Sequence, residues 1–138
     1  MADVHSDSQR SFNMSQIRGS DTKPELLVRK YLFHNGFRYR KNVKTLPGKP
    51  DIVLPKYKSV VFINGCFWHK HDCKYFVWPK TNAVFWREKI EATVVRDISN
   101  YEKLIDLGWN VIVVWECEIK HKFQETMDNL VESLRSNA

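Results

Sequence analysis

At 138 residues, 43% of them apolar and 13% aromatic, the chain fits one domain with a genuine hydrophobic core. Its three cysteines cannot all pair with one another and two lie beside histidines, which points away from a disulfide framework and toward metal binding in a reducing cytoplasm; neither a signal peptide nor a bilayer-length apolar run is read from it. The net charge of +6 is uneven, with ten Lys/Arg against four Asp/Glu in residues 1–50 and twelve of each in residues 51–138, so the excess suits a polyanion such as nucleic acid, a solvated basic surface being the alternative.

In chain order, residues 1–20 read as a basic, flexible N-terminal arm and residues 21–138 as a single domain. Met14 and Ile17 suggest a short amphipathic turn on the arm. Thr22-Lys23-Pro24-Glu25 reads as a capping box, opening a helix that carries Leu26, Leu27, Lys30 and Tyr31 and stops near Asn35-Gly36. The alternation Phe37-Arg38-Tyr39-Arg40 predicts a strand, Leu46-Pro47-Gly48-Lys49-Pro50 a loop, and Asp51-Ile52-Val53-Leu54 a short buried strand ended by Pro55. Val60 to Ile63 is the next strand, reached by a hairpin-like connection. Beyond a cluster of Cys and His, Asn82 is expected to cap a long helix through Phe85, Trp86, Ile90, Val94, Ile98, Tyr101, Leu104 and Ile105, closed by Gly108. Val111 to Trp115 reads as a fully buried strand and residues 123–135 as a last helix. This order predicts an α/β architecture with helices flanking a central mixed β-sheet.

The chemistry concentrates in Cys66-Phe67-Trp68-His69-Lys70-His71-Asp72-Cys73. Cys66, His71 and Cys73, joined by Cys117, could close a tetrahedral Zn²⁺ shell, which with four protein ligands would be structural; unliganded buried thiols are the alternative. His69 lies outside that set and can exchange a proton near neutral pH. Asp51 and the backbone carbonyl of Ile63, at neighbouring strand ends, could hold Mg²⁺, with Glu25 joining through water, although turn and capping roles are the ordinary reading of these two acids. Phosphodiester hydrolysis would then use Asp51 as the metal-binding carboxylate and His69 as the group that activates water. Phe67 and Trp68 could wedge between base pairs, with Trp86 beside them. Met14 and Ile17 could insert from the opposite groove, or simply pack.

These motifs resemble the very short patch repair endonucleases of bacteria. The resemblance is carried by Arg10-Ser11 with Asn13-Met14, Thr22 and Glu25, Leu46-Pro47-Gly48-x-Pro50-Asp51, Asn64-Gly65-Cys66-Phe67-Trp68-His69, His71-x-Cys73, Phe85-Trp86-x-x-Lys89-Ile90, Arg96-Asp97, Leu107-Gly108-Trp109 and Val114-Trp115-Glu116-Cys117. It implies a restriction-endonuclease-like fold with a structural zinc site, and Mg²⁺-dependent nicking of one strand of double-stranded DNA 5′ to the T of a T·G mismatch left by deaminated 5-methylcytosine. It further implies a bacterial, cytoplasmic, nucleoid-associated monomer paired in function with a cytosine-5 DNA methyltransferase, with mismatch-repair proteins as further candidate partners.

Carried over residue by residue, the resemblance makes Asp51 the metal-binding carboxylate, His69 the general base and Glu25 a holder of metal-bound water. Cys66, His71, Cys73 and Cys117 become the zinc shell, and Ile63 gives only its carbonyl to Mg²⁺. Phe67, Trp68 and Trp86 become an intercalating platform, with Met14 and Ile17 gripping the other groove. Lys89, with Thr93 about one turn further on, is assigned to base or phosphate contact. Asn64 departs from members that carry a second histidine there, and an amide can still hydrogen-bond a phosphate. A zinc-braced DNA-binding module without catalysis is the competing reading.

Overall fold

A computed structural model describes residues 22–66, 69–71, 73 and 76–137. The arm over residues 1–20, with Met14 and Ile17, and the pair Phe67-Trp68 lie outside the described residues.

Helix α1 (Lys23–His34) accepts Pro24 in its first turn, where a backbone N–H has no partner within the helix, and ends at Asn35 before Gly36, whose φ of +87° favours a residue without Cβ. The expected capping box does not form: Thr22 makes no side-chain capping bond, and Glu25 is turned inward, 4% exposed, beside Arg29. Strand β1 is only Arg40–Lys41, not Phe37 to Arg40. Phe37 and Tyr39 do turn inward, but the partner strand β2 (Ile52–Leu54) runs into Pro55, so the ladder ends at the pair Arg40 and Val53. A 3-10 turn over Pro55–Tyr57 and a left-handed Lys58 reverse the chain into β3 (Ser59–Asn64), antiparallel to β2.

Helix α2 (Ala83–Asp106) is closed by Gly108 at φ +93°. Asn82 precedes it but does not cap it through its side chain, because its own backbone is left-handed rather than in the extended region from which a capping side chain reaches the first turn. Strand β4 (Asn110–Trp115) pairs parallel to β3. Helix α3 (Glu116–His121), which no pattern in the sequence announces, follows at once, and α4 (Phe123–Ser136) completes the described fold.

The sheet order β1-β2-β3-β4 puts β4 at an edge, so of the strand expected to be fully buried only Val114 is; its other residues are half-buried. Alternation sorts the strands onto two faces. Ile52, Leu54, Val61 and Val114 pack with Val28, Leu32, Ile119, Met127, Leu130 and Leu134 from α1, α3 and α4, while Val53, Val60 and Phe62 pack with Leu104 of α2. A mixed sheet thus lies between three helices and one long helix. Among the described residues, no helix is long and apolar enough to cross a membrane.

Candidate active site and metal centre

The antiparallel β2–β3 and parallel β3–β4 pairings bring the start of β2 and the ends of β3 and β4 to the same end of the sheet. There, with the start of α1 and the middle of α2, they line an open cleft of about 630 Å³ that contains Glu25, Asp51, Asn64, His69, Asp97 and Glu116. Asp51 Oδ2 accepts the Ile63 N–H at 2.7 Å. Burial pushes the Asp51 carboxyl up to about 7; the Ile63 N–H opposes this, neighbouring Glu25 adds to it, and His69 and Arg29 pull it back. A carboxylate desolvated beside another buried acid suits a hard divalent cation, whose charge would favour the ionised form. Glu25 Oε2 lies 4.0 Å from Arg29 Nη2, both residues buried on one face of α1.

His69 Nδ1 lies 2.5 Å from Asp97 Oδ2 of α2. An ionised carboxylate has only lone pairs to offer, so the imidazole donates from Nδ1 and leaves the Nε2 lone pair to accept a proton. The turn that presents His69 is held by its own backbone, with the His69 N–H donating to the Gly65 carbonyl and the His71 N–H to that of Cys66. The Asn64 amide donates from Nδ2 to the Tyr101 hydroxyl at 2.9 Å.

Ligand atoms of Cys66, His71, Cys73 and Cys117 all lie within 4.8 Å of one another, and Cys117 Sγ is 3.5 Å from His71 Nδ1. Around a tetrahedral zinc, bonds of ~2.3 Å to sulfur and ~2.0 Å to nitrogen put S and N ~3.5 Å apart, so this donor set fits the ion. Burial pushes the Cys66 thiol up to about 12 and raises that of Cys117, so both favour the neutral thiol, and a bound cation would be what stabilises them as thiolates. All three cysteines are free of disulfides. The His71 ring stacks on Trp115 with centroids 4.1 Å apart, and His69 stands edge-on to the same indole at 6.4 Å. Cys117 lies just past β4, in the first turn of α3.

The structure therefore gathers Glu25, Asp51, Ile63 and His69 in one cleft and the four sulfur and nitrogen donors in one cluster. Trp86, Lys89 and Thr93 are not among the described residues lining the cleft. Trp86 packs edge-on to Phe85 at 5.3 Å, Lys89 Nζ lies 5.6 Å from the centre of the Phe85 ring, and the Thr93 hydroxyl donates to the Lys89 carbonyl of its own helix. Asp97 and Tyr101 received no role from sequence. The available signal was their place in the stripe Ile90, Val94, Asp97, Tyr101, Leu104, where a carboxylate interrupts the face α2 turns to the sheet and so calls for a partner.

A family model described as DNA mismatch endonuclease Vsr matches residues 2–75. Over 137 residues the chain is 53% identical to the type II nicking enzyme V.NmeAIP of Neisseria meningitidis, covering 98% of each chain. It is 42% identical over 134 residues to the DNA mismatch endonuclease Vsr of Escherichia coli, covering 97% of this chain and 86% of that one. With the type II nicking enzyme V.XorIIP of Xanthomonas oryzae it shares 44% identity over 119 residues, covering 86% and 88% of the two chains.

Proposed function

The chain belongs to the DNA mismatch endonuclease Vsr family and is an endonuclease, and on that premise we propose that it nicks one strand of duplex DNA 5′ to the thymine of a T·G mismatch left by deaminated 5-methylcytosine. The observation that carries the reading is the convergence on one cleft of Asp51, hydrogen-bonded to Ile63, and His69, hydrogen-bonded to Asp97.

In this reading His69 Nε2 takes the proton of the attacking water, while Asp97 holds the imidazole in the required tautomer and balances the imidazolium that forms. Asp51 and the Ile63 carbonyl would hold Mg²⁺, with Glu25 reaching it through water. Bound there, the ion supplies positive charge to the transferring phosphoryl group and the leaving oxygen. Cys66, His71, Cys73 and Cys117 would hold structural Zn²⁺, bracing the turn that carries His69. Phe67, Trp68 and Trp86 serve as the intercalating platform, Met14 and Ile17 grip the opposite groove, and Lys89 contacts base or phosphate. The mixed sheet with its metal-binding carboxylate at a strand end is read as a compact restriction-endonuclease-like core. The enzyme works as a monomer in the bacterial cytoplasm, repairing sites modified by a cytosine-5 methyltransferase.

A DNA-binding module without catalysis leaves the His69–Asp97 pair and the acids of the cleft unexplained. The test is Asp51→Ala, which is expected to abolish nicking of a T·G duplex while zinc stays near one per chain. Undiminished cleavage by that variant would remove Asp51 from the reaction.

A further inference from the structure

Asn64 is the last residue of β3 and lines the cleft, yet it is only 4% exposed. A polar amide buried this far needs partners, and its Nδ2 finds one in the Tyr101 hydroxyl at 2.9 Å. That nitrogen carries a second hydrogen for another acceptor. Tyr101 is itself fixed: its ring packs against Phe62 with centroids 5.0 Å apart. It sits one helical turn beyond Asp97 on the same face of α2, so one helix holds His69 through the first residue and Asn64 through the second. Burial and the nearby charges of Asp97 and Asp51 raise the Tyr101 pKa, which keeps the phenol protonated and neutral. Among so many carboxylates, a neutral donor can meet an anionic phosphate without first gaining or losing a proton.

We propose that Tyr101 is a positioning residue of the nicking reaction: it holds the Asn64 amide so that an N–H of Asn64 faces a non-bridging oxygen of the scissile phosphate. This rests on the functional reading above and adds a phosphate contact with its support. Asn64 touches the substrate; Tyr101 acts only through Asn64. Without the hydroxyl the amide loses the contact that fixes its orientation, and its N–H is no longer held toward the phosphate.

The test is single-turnover nicking at saturating Mg²⁺, with duplex affinity measured by fluorescence anisotropy. Nicking of the T·G duplex by the unsubstituted protein tests the functional reading by itself, and the variants are compared on whichever duplex that protein nicks, so the two ideas fail separately. Tyr101→Phe is expected to slow nicking about tenfold with duplex affinity within about twofold. Asn64→Ala should slow it at least as much, and the double variant should be no slower than Asn64→Ala alone. Replacing by sulfur the non-bridging oxygen that Asn64 faces should slow the unsubstituted protein, and both single variants should be less sensitive to that replacement than the unsubstituted protein is, while their sensitivity at the other oxygen stays unchanged. Multiplying losses in the double variant, an undiminished rate for Tyr101→Phe, or a rate loss that disappears when the assay is cooled further below a lowered melting temperature would each overturn the proposal.

Discussion

Asp51 is a buried carboxyl whose ionisation opposes stability. Its carboxyl, ordinarily near ~3.9, is raised by burial to about 7. The folded chain therefore holds this proton more tightly than the unfolded one, and the associated stability, complete below about pH 4, is lost as pH rises through about 7. Without metal, the melting temperature should fall on going from pH 5 to 8, and Asp51→Asn should flatten that fall. If Mg²⁺ binds the ionised form, it should raise the melting temperature more at pH 8 than at pH 6; an equal increment at both would place the ion elsewhere. At His69 the hydrogen bond at stake is the one to Asp97. An amide in place of that carboxylate can donate to Nδ1 and move the ring proton to Nε2, leaving no lone pair for water. Asp97→Asn should thus slow single-turnover nicking by about 100-fold or more with duplex affinity retained, whereas unchanged nicking would make the pair a packing feature.

At the scale of elements, the loop before β2 is pinned by Gly48. With φ at +76°, a Cβ there would come within 3.0 Å of Asn100 Cβ and 3.1 Å of Phe62 Cε1. Gly48→Ala should cost about 1–3 kcal/mol in denaturant unfolding and loosen Lys49 at the cleft, and an unmoved unfolding midpoint would show that the loop yields freely. The turn after β3 is tied to α3 by the sulfur and nitrogen cluster, so its thiols should resist labelling until a chelator is added; labelling at full rate beforehand would argue against a bound metal. Much of this was legible in the sequence because Gly36, Pro55 and Gly108 punctuate the chain and β2, β3 and β4 are built on short apolar runs buried on both faces. Other features were not. The apolar run of β4 reads as a central strand because helices cover both its faces, and composition carries no information about its place at the edge of the sheet formed by the described residues. Glu25 satisfied a local capping pattern that lost to burial beside Arg29. The Asn64–Tyr101 bond joins residues 37 apart, a distance no local pattern spans.

Over the whole molecule, charge and connectivity both bear on function. Of the ten Lys/Arg in residues 1–50, eight lie between Lys23 and Lys49, while the arm of residues 1–20 balances two arginines with two aspartates. Exposed Lys41, Lys44 and Lys49 thus belong to the basic stretch that leads into the cleft. Replacing these three by Gln should weaken duplex binding on any sequence and lower the slope of log affinity against log salt by about one for each phosphate no longer neutralised, while an unchanged slope would place the DNA elsewhere. The cleft takes Glu25 from near the start of the described chain and Glu116 from far along it, and its central sheet depends on the parallel register of Ser59 with Asn110 through Asn64 with Trp115. Pairings this distant along the chain form late, and a growing polypeptide cannot make them until the segment beyond Trp115 has left the ribosome. Cys117 emerges in that same segment. The cleft of a DNA-cutting enzyme is in this way completed only when nearly all of the described chain is available to fold.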